Sequence, residues 1–190
     1  MSSPSDLTFA DRLDRLQEVV QQQAGDAFCL RTELPADRAF SQRAYAVTRE
    51  SELALVDWPA ETKSAFVEQQ FEAQYRHYRQ HYPEALFLLV CHHDQPIGRL
   101  YLSQGGTELR LMDIIVLPDW RGKGLGRTLL AAVLNWGIED ALMISLHVEA
   151  DNPIRQWYRR LGFQEVELRG IYWLMRLEVD ALPAAQLKLI

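Results

Sequence analysis

The stretch Arg121-Gly122-Lys123-Gly124-Leu125-Gly126-Arg127 constrains this chain more than any other. A strand-like run, Leu111-Met112-Asp113-Ile114-Ile115-Val116, precedes it and is closed by Pro118. A helix-like run from Thr128 to Leu134 follows it. A strand, a glycine-rich turn and a helix start, in that order, make a place for an anion. The first amides of a helix have no partner inside it, and the helix dipole favours negative charge there. Glycines let the backbone come close to a ligand and reach positive φ. Arg121, Lys123 and Arg127 add local positive charge to a chain whose formal net charge is −6. The loop points to a ligand that carries a pyrophosphate.

A length of 190 residues fits one domain with room for a substantial core. No apolar run is long enough to span a membrane. The start, Met1-Ser2-Ser3-Pro4-Ser5-Asp6, lacks the basic and apolar regions of a secretory signal. Cys29 and Cys91 match no metal or redox spacing, so they are expected as two reduced thiols in a cytoplasmic protein without a metal. The acidic balance argues against broad nucleic-acid binding, which needs a basic footprint.

Residues 7–23 place Leu7, Leu13, Leu16, Val19 and Val20 near helical spacing, which predicts an amphipathic helix ending at Gly25. It can pack on the domain, join a dimer interface or stay partly mobile. A short strand is expected over 28–32, then a helix over 37–48. A longer helix follows Pro59, with Val67, Phe71, Tyr75, Tyr78 and Tyr82 as one stripe ending at Pro83. The period then changes to that of strands: 86–91 and 97–102 as a hairpin, 108–116 after Gly105-Gly106, and 142–148 after the glycine-loop helix. Asp151 or Asn152 caps a helix that begins near Pro153 and stops at Gly162. Strands near 164–169 and 171–178 finish the pattern, which is α+β, one mixed sheet with helices against it.

Two common phosphate motifs are excluded by spacing. A Walker loop needs Gly-Lys followed by Ser or Thr, and Lys123 stands between glycines. A dinucleotide fingerprint needs G-x-G-x-x-G at the start of a βαβ unit, and this loop lies two-thirds along the chain. The segment from Ile114 to Gly126 instead resembles the acetyl-CoA signature of the GCN5-related N-acetyltransferases, [RQ]-x-x-G-x-[GA] preceded by V-x-P. Arg121, Gly124 and Gly126 stand at its fixed positions. A second block, Asn152 to Phe163, resembles the family's Asn…Tyr-x-x-x-Gly-Phe segment. Asn152 stands six residues before Tyr158, where many members have seven.

The resemblance implies a mixed central sheet whose parallel strands splay apart, flanked by helices, with acetyl-CoA in the gap. It assigns residues 26–180 to the acetyltransferase domain, 1–25 to an N-terminal helical extension and 181–190 to a tail. It implies that Ile114, Ile115 and Val116 meet the pantetheine arm, and that Gly122, Lys123, Gly124, Leu125, Gly126 and Arg127, with Arg121, hold the pyrophosphate. Asn152 is expected to contact the cofactor arm and Tyr158 to protonate the leaving thiolate. For the general base, Asp113 is preferred; Glu108, Glu50, His147 and a chain of waters are the alternatives. The helices at 37–48 and 60–81 are expected to form the acceptor site, with Trp58, Phe71, Gln74, Tyr75, His77 and Tyr78 as its distinctive residues; most of the aromatic stripe is expected as core, and Gln74, His77 and His81, on a different face, can reach a substrate or be solvated. The implied activity is acetyl transfer to a primary amine of a small molecule or peptide. A CoA-binding module without catalysis and a protein lysine or N-terminal acetyltransferase remain open, as does a homodimer.

Overall fold

The computed structural model describes residues 8–179. Its elements are α1 (Phe9–Ala24), β1 (Phe28–Thr32), α2 (Arg38–Ala54), α3 (Ala60–His81), β2 (Leu86–His92), β3 (Gln95–Gly105), β4 (Glu108–Val116), α4 (Leu125–Glu139), β5 (Met143–Glu149), α5 (Ile154–Arg160), β6 (Gln164–Arg169) and β7 (Tyr172–Leu177). Leu7 and the tail at 181–190 lie outside the described residues. The expected segments reappear with small shifts at their ends. The main difference is α2, which runs on to Ala54. Its last turns carry no apolar stripe, but they hold an Arg49–Glu52 ion pair at 3.0 Å one turn apart.

The strands form one sheet in the order β1-β2-β3-β4-β5-β7-β6. Every neighbouring pair is antiparallel except β4 and β5, which are parallel. The β2–β3 hairpin closes through His93 and Asp94, both at positive φ (45° and 64°), the geometry of a two-residue primed turn.

One face of the sheet is covered by α1 and α4. There Leu16, Val20, Leu88, Leu100, Leu129, Leu130 and Ile144 belong to one core, each at most 1% exposed. A fully buried leucine of this kind contributes about 2 kcal/mol. Thr8 starts α1 with a reciprocal cap: its hydroxyl accepts from the Asp11 N–H, and the Asp11 carboxylate accepts from the Thr8 N–H. Asp140 ties the two helices together, accepting from Arg15 at 2.9 Å and from the Trp136 indole at 2.9 Å. The other face is covered by α2 and α3, where Phe40 and Ala44 pack on Leu89, Cys91 and Ile115. Cys29 stands directly opposite Cys91 on the neighbouring strand, and both are free thiols. Burial pushes the Cys91 thiol up to about 11.

A bulge in β4 positions everything that follows. Tyr101 pairs with Asp113 and Leu102 with Leu111, which leaves Met112 as an extra residue. Before the bulge, Leu109 and Leu111 point to the α1–α4 core. Simple alternation would send Asp113 and Ile115 there too. The extra residue reverses the parity. Ile114 and Val116 pack on that core, and Ile115 joins the α2 face.

The parallel pairing of β4 with β5 covers only Glu108–Leu111 against Met143–Leu146. Beyond that the two strands part. β4 stays bonded to β3 as far as Val116, and β5 to β7 as far as Glu149. Gly98 is needed at the top of β3, because a Cβ there would fall on the Ile115 carbonyl oxygen.

Candidate functional site

The gap between the parted strands opens into a cavity of about 780 Å³. β4 lines it with Leu111 to Val116 and β5 with Leu146 to Glu149. Val47, Thr48 and Ser51 of α2 form one wall, and Asn152, Trp157, Tyr158 and Tyr172 another. Among the residues expected at the site, Asp113, Ile114, Ile115, Val116, Arg121, Gly122, Gly124, Leu125, Gly126, Arg127, Asn152 and Tyr158 all line it. Lys123 does not; its ammonium lies 4.8 Å over the Trp120 ring.

The loop's shape comes from its glycines. Gly122 and Gly124 have φ of +73° and +85°, and Gly124 is the residue from which α4 starts. The first bond into the helix runs from the Thr128 N–H to the Gly124 carbonyl at 3.0 Å. The amides of the first turn therefore have no partner within the helix. A Cβ added at Gly122, Gly124 or Gly126 would meet nothing within 4 Å, so the loop presents open backbone to the cavity. Arg121 Nε donates to the Val116 carbonyl at 2.9 Å, which ties the loop back to the end of β4.

Tyr158 lies on α5 and is 5% exposed. Trp157 and Phe163 flank its ring at 5.7 and 5.6 Å. Burial, with the negative charge of Asp113 as the lesser cause, pushes its phenol up to about 12. It keeps its proton at neutral pH. Of the two cap candidates, Asn152 makes the bond: its Oδ1 accepts from the Ile154 N–H at 3.1 Å.

Asp113 accepts from Arg99 Nη2, and the same nitrogen donates to Gln74 Oε1 at 2.9 Å. Arg99 is 1% exposed and lies 4.7 Å over the Tyr101 ring. Beside it, Glu33 accepts from the Tyr101 hydroxyl at 2.5 Å, Ser41 Oγ at 2.6 Å and Arg79 at 3.0 Å. Sequence reasoning missed Arg99, Glu33 and Ser41. The available signal was Arg99 interrupting a run of buried strand residues, but its partner depends on the register between β3 and β4.

The alternative base candidates fall in different places. Glu108 sits at the paired end of the strands, bound to Arg110 and Ser145, and does not line the cavity. Glu50 is exposed on α2 and also stands outside the lining. His147 does line it; desolvation by the sheet, then Arg110 and Arg169, hold its imidazole below the ordinary range. Glu149, not singled out in the sequence, lines the cavity and accepts from Arg49 at 2.8 Å and the Tyr172 hydroxyl at 3.2 Å.

A smaller recess of about 300 Å³ lies between α2 and α3, lined by Tyr45, Arg49, Glu52, Phe66, Gln70, Ala73, Gln74 and Tyr172. Tyr172 borders both spaces. Trp58 packs on Phe66 at 5.5 Å. His77 and His81 stack on each other at 4.3 Å and line neither space. Phe71 and Val67 of the aromatic stripe are core, packed with Tyr45.

Comparison with known proteins gives the same picture from another direction. Residues 52–163 match the acetyltransferase (GNAT) family. The [ribosomal protein bS18]-alanine N-acetyltransferase of Haemophilus influenzae is 30% identical over 89 residues, 46% of this chain and 61% of that protein. The chain thus spans about three-fifths of the length of that relative. The structure of PaiA N-acetyltransferase from Thermoplasma acidophilum, in complex with coenzyme A, superposes with a TM-score of 0.61 at 17% identity, covering 80% of this chain and 98% of that one. An acetyltransferase from Thermus thermophilus gives 0.58 at 18% identity, over 80% and 96% of the two chains. At these identities the structural likeness is one of fold, and it extends to the mixed sheet and its flanking helices. With its matched segment running from the end of α2 through the glycine loop to Phe163, this chain belongs to the GNAT acetyltransferase family.

Proposed function

We propose that the protein transfers the acetyl group of acetyl-CoA to a primary amine of a small molecule or peptide. One observation carries this: the parted strands, the open glycine loop and a protonated, buried Tyr158 all face a single cavity. The donor set fits the cosubstrate. The amides of the first turn of α4, which make no bond within the helix, suit a pyrophosphate, with Arg127 and, from outside the lining, Lys123 adding charge and Arg121 fixing the loop. The free edge of β4 at Ile114, Ile115 and Val116 suits an extended amide-bearing arm, with Asn152 near its end. A cytoplasmic setting and a domain spanning 26–180 belong to the same proposal.

Acetyl-CoA supplies a thioester carbonyl already activated towards nitrogen. The amine nitrogen attacks that carbon, a C–N bond forms and the C–S bond breaks. The Tyr158 hydroxyl gives its proton to the departing sulfur, and Asp113 takes the proton lost by nitrogen. Thiol release measured with a panel of amines and peptides tests this. Absence of turnover on every acceptor, together with no CoA binding, would sink it. CoA binding without turnover, indifferent to Tyr158→Phe, would point to a binding module.

A protein substrate is the second proposal. The H. influenzae relative is named for an alanine of ribosomal protein bS18. A peptide panel that includes free N-termini and lysines separates this from a small-molecule acceptor.

A further inference from the structure

Arg99 is among the largest side chains fully buried in this protein. It sits in the middle of the sheet, on the face towards α2 and α3. Burial works against its charge, and Asp113, Tyr101 and Glu33 outweigh that, so the guanidinium is held above its ordinary range. Its Nε is buried with no partner among the described residues. A buried ion pair with an unsatisfied donor is a poor way to stabilise a sheet, since an apolar side chain of similar size commonly does as well. Its placement therefore calls for another explanation.

Arg99 stands between two spaces. Through Nη2 it holds Asp113, which lines the large cavity, and Gln74, which lines the recess between α2 and α3. Through Nη1 it reaches the Ser41 carbonyl of α2 at 3.4 Å. β3, β4, α2 and α3 thus converge on one planar group. The planar guanidinium holds Nη1 and Nη2 in a fixed fork, so the bond to the Ser41 carbonyl sets where Nη2 meets the carboxylate.

We propose that Arg99 is a positioning residue for acetyl transfer. It aims the Asp113 carboxylate into the gap where the acceptor amine arrives, and Gln74 braces it from the acceptor recess. This rests on the N-acetyltransferase proposal and adds a residue to it. An acceptor whose remote part packs against Gln74 is then aligned with Asp113 by the same contact that holds Arg99.

The test uses Arg99→Lys, Gln74→Leu and Asp113→Asn, singly and combined, with thiol release as the assay. Arg99→Lys keeps the charge and loses the fork. Gln74 is only half-buried, so Gln74→Leu serves if the arginine variant does not fold. Each is expected to lower kcat about ten- to a hundredfold, the scale that small misplacements carry, with KM for acetyl-CoA unchanged. In the Asp113→Asn background neither is expected to cost anything more, because Arg99 and Gln74 act through Asp113. Losses that multiply in that background, or an unchanged kcat in either single variant, overturn the role. A wild-type protein that turns over no amine removes the acetyltransferase proposal and this one together; turnover with independent losses removes only this one.

Discussion

In the proposed reaction Tyr158 is buried and also gives up a proton. The two are compatible because burial favours the neutral phenol, lifting it from an ordinary value of 10.0 to about 12. Tyr158→Phe is expected to lower kcat by about 10²- to 10⁴-fold, the usual worth of a positioned acid, while CoA affinity measured by calorimetry stays the same. The same shift bears on stability. The folded protein holds this proton more tightly than the unfolded chain does. Stability is thus fully present below about pH 10 and falls as pH rises from there towards 12. Tyr78 and Tyr101, also raised by burial, add to that fall. Both persist in the variant, so the difference between the two proteins in urea midpoints across this range isolates Tyr158. The tyrosine and the glycines were legible because each stands at a fixed spacing from its neighbours along the chain. The Arg99–Asp113 pair was not. Fourteen residues separate its members, and only the pairing of β3 with β4 brings them together.

The glycine loop and α4 separate two uses of glycine. Gly124 is left-handed, so Gly124→Ala strains the backbone and is expected to destabilise the fold by about 1 kcal/mol. Gly126 lies inside the helix, at ordinary φ, beside open space. Gly126→Ala is expected to raise helix stability by up to about 1 kcal/mol and yet to lose CoA affinity, since in the proposed binding mode the new methyl occupies the anion's approach. Thermal melts with and without CoA give both readings in one experiment. Helix and strand positions could be read from apolar periodicity almost throughout. The end of α2 could not, because Arg49 to Ala54 bury little and carry no stripe. The β4 bulge was also hidden, since a run of mixed apolar residues reads the same with or without an extra residue.

The sheet has two unlike margins. On one side, α1 lies along β1, and Gln17 accepts from the Leu30 N–H at 2.5 Å and donates to the Phe28 carbonyl at 3.3 Å. One side-chain amide thus stands in for a missing strand and closes an edge that would otherwise invite pairing. Residues 9–24, set apart in the sequence as an extension, share the main core through Leu16 and Val20. Gln17→Ala is expected to lower stability by about 1–3 kcal/mol, seen as a drop in Tm of several degrees and as earlier light scattering on heating. On the opposite side β6 is nearly all exposed, with Val166 and Leu168 open to solvent. Between these margins, Met112 acts on β4 as a single inserted letter acts on a reading frame. Upstream of it the strand spells core towards α4; downstream the same alternation spells site towards α2. Keeping this residue but straightening the strand into plain alternation would leave the sequence untouched and exchange the destinations of all residues from Asp113 to Val116, turning Asp113 and Ile115 into the core and Ile114 and Val116 towards α2.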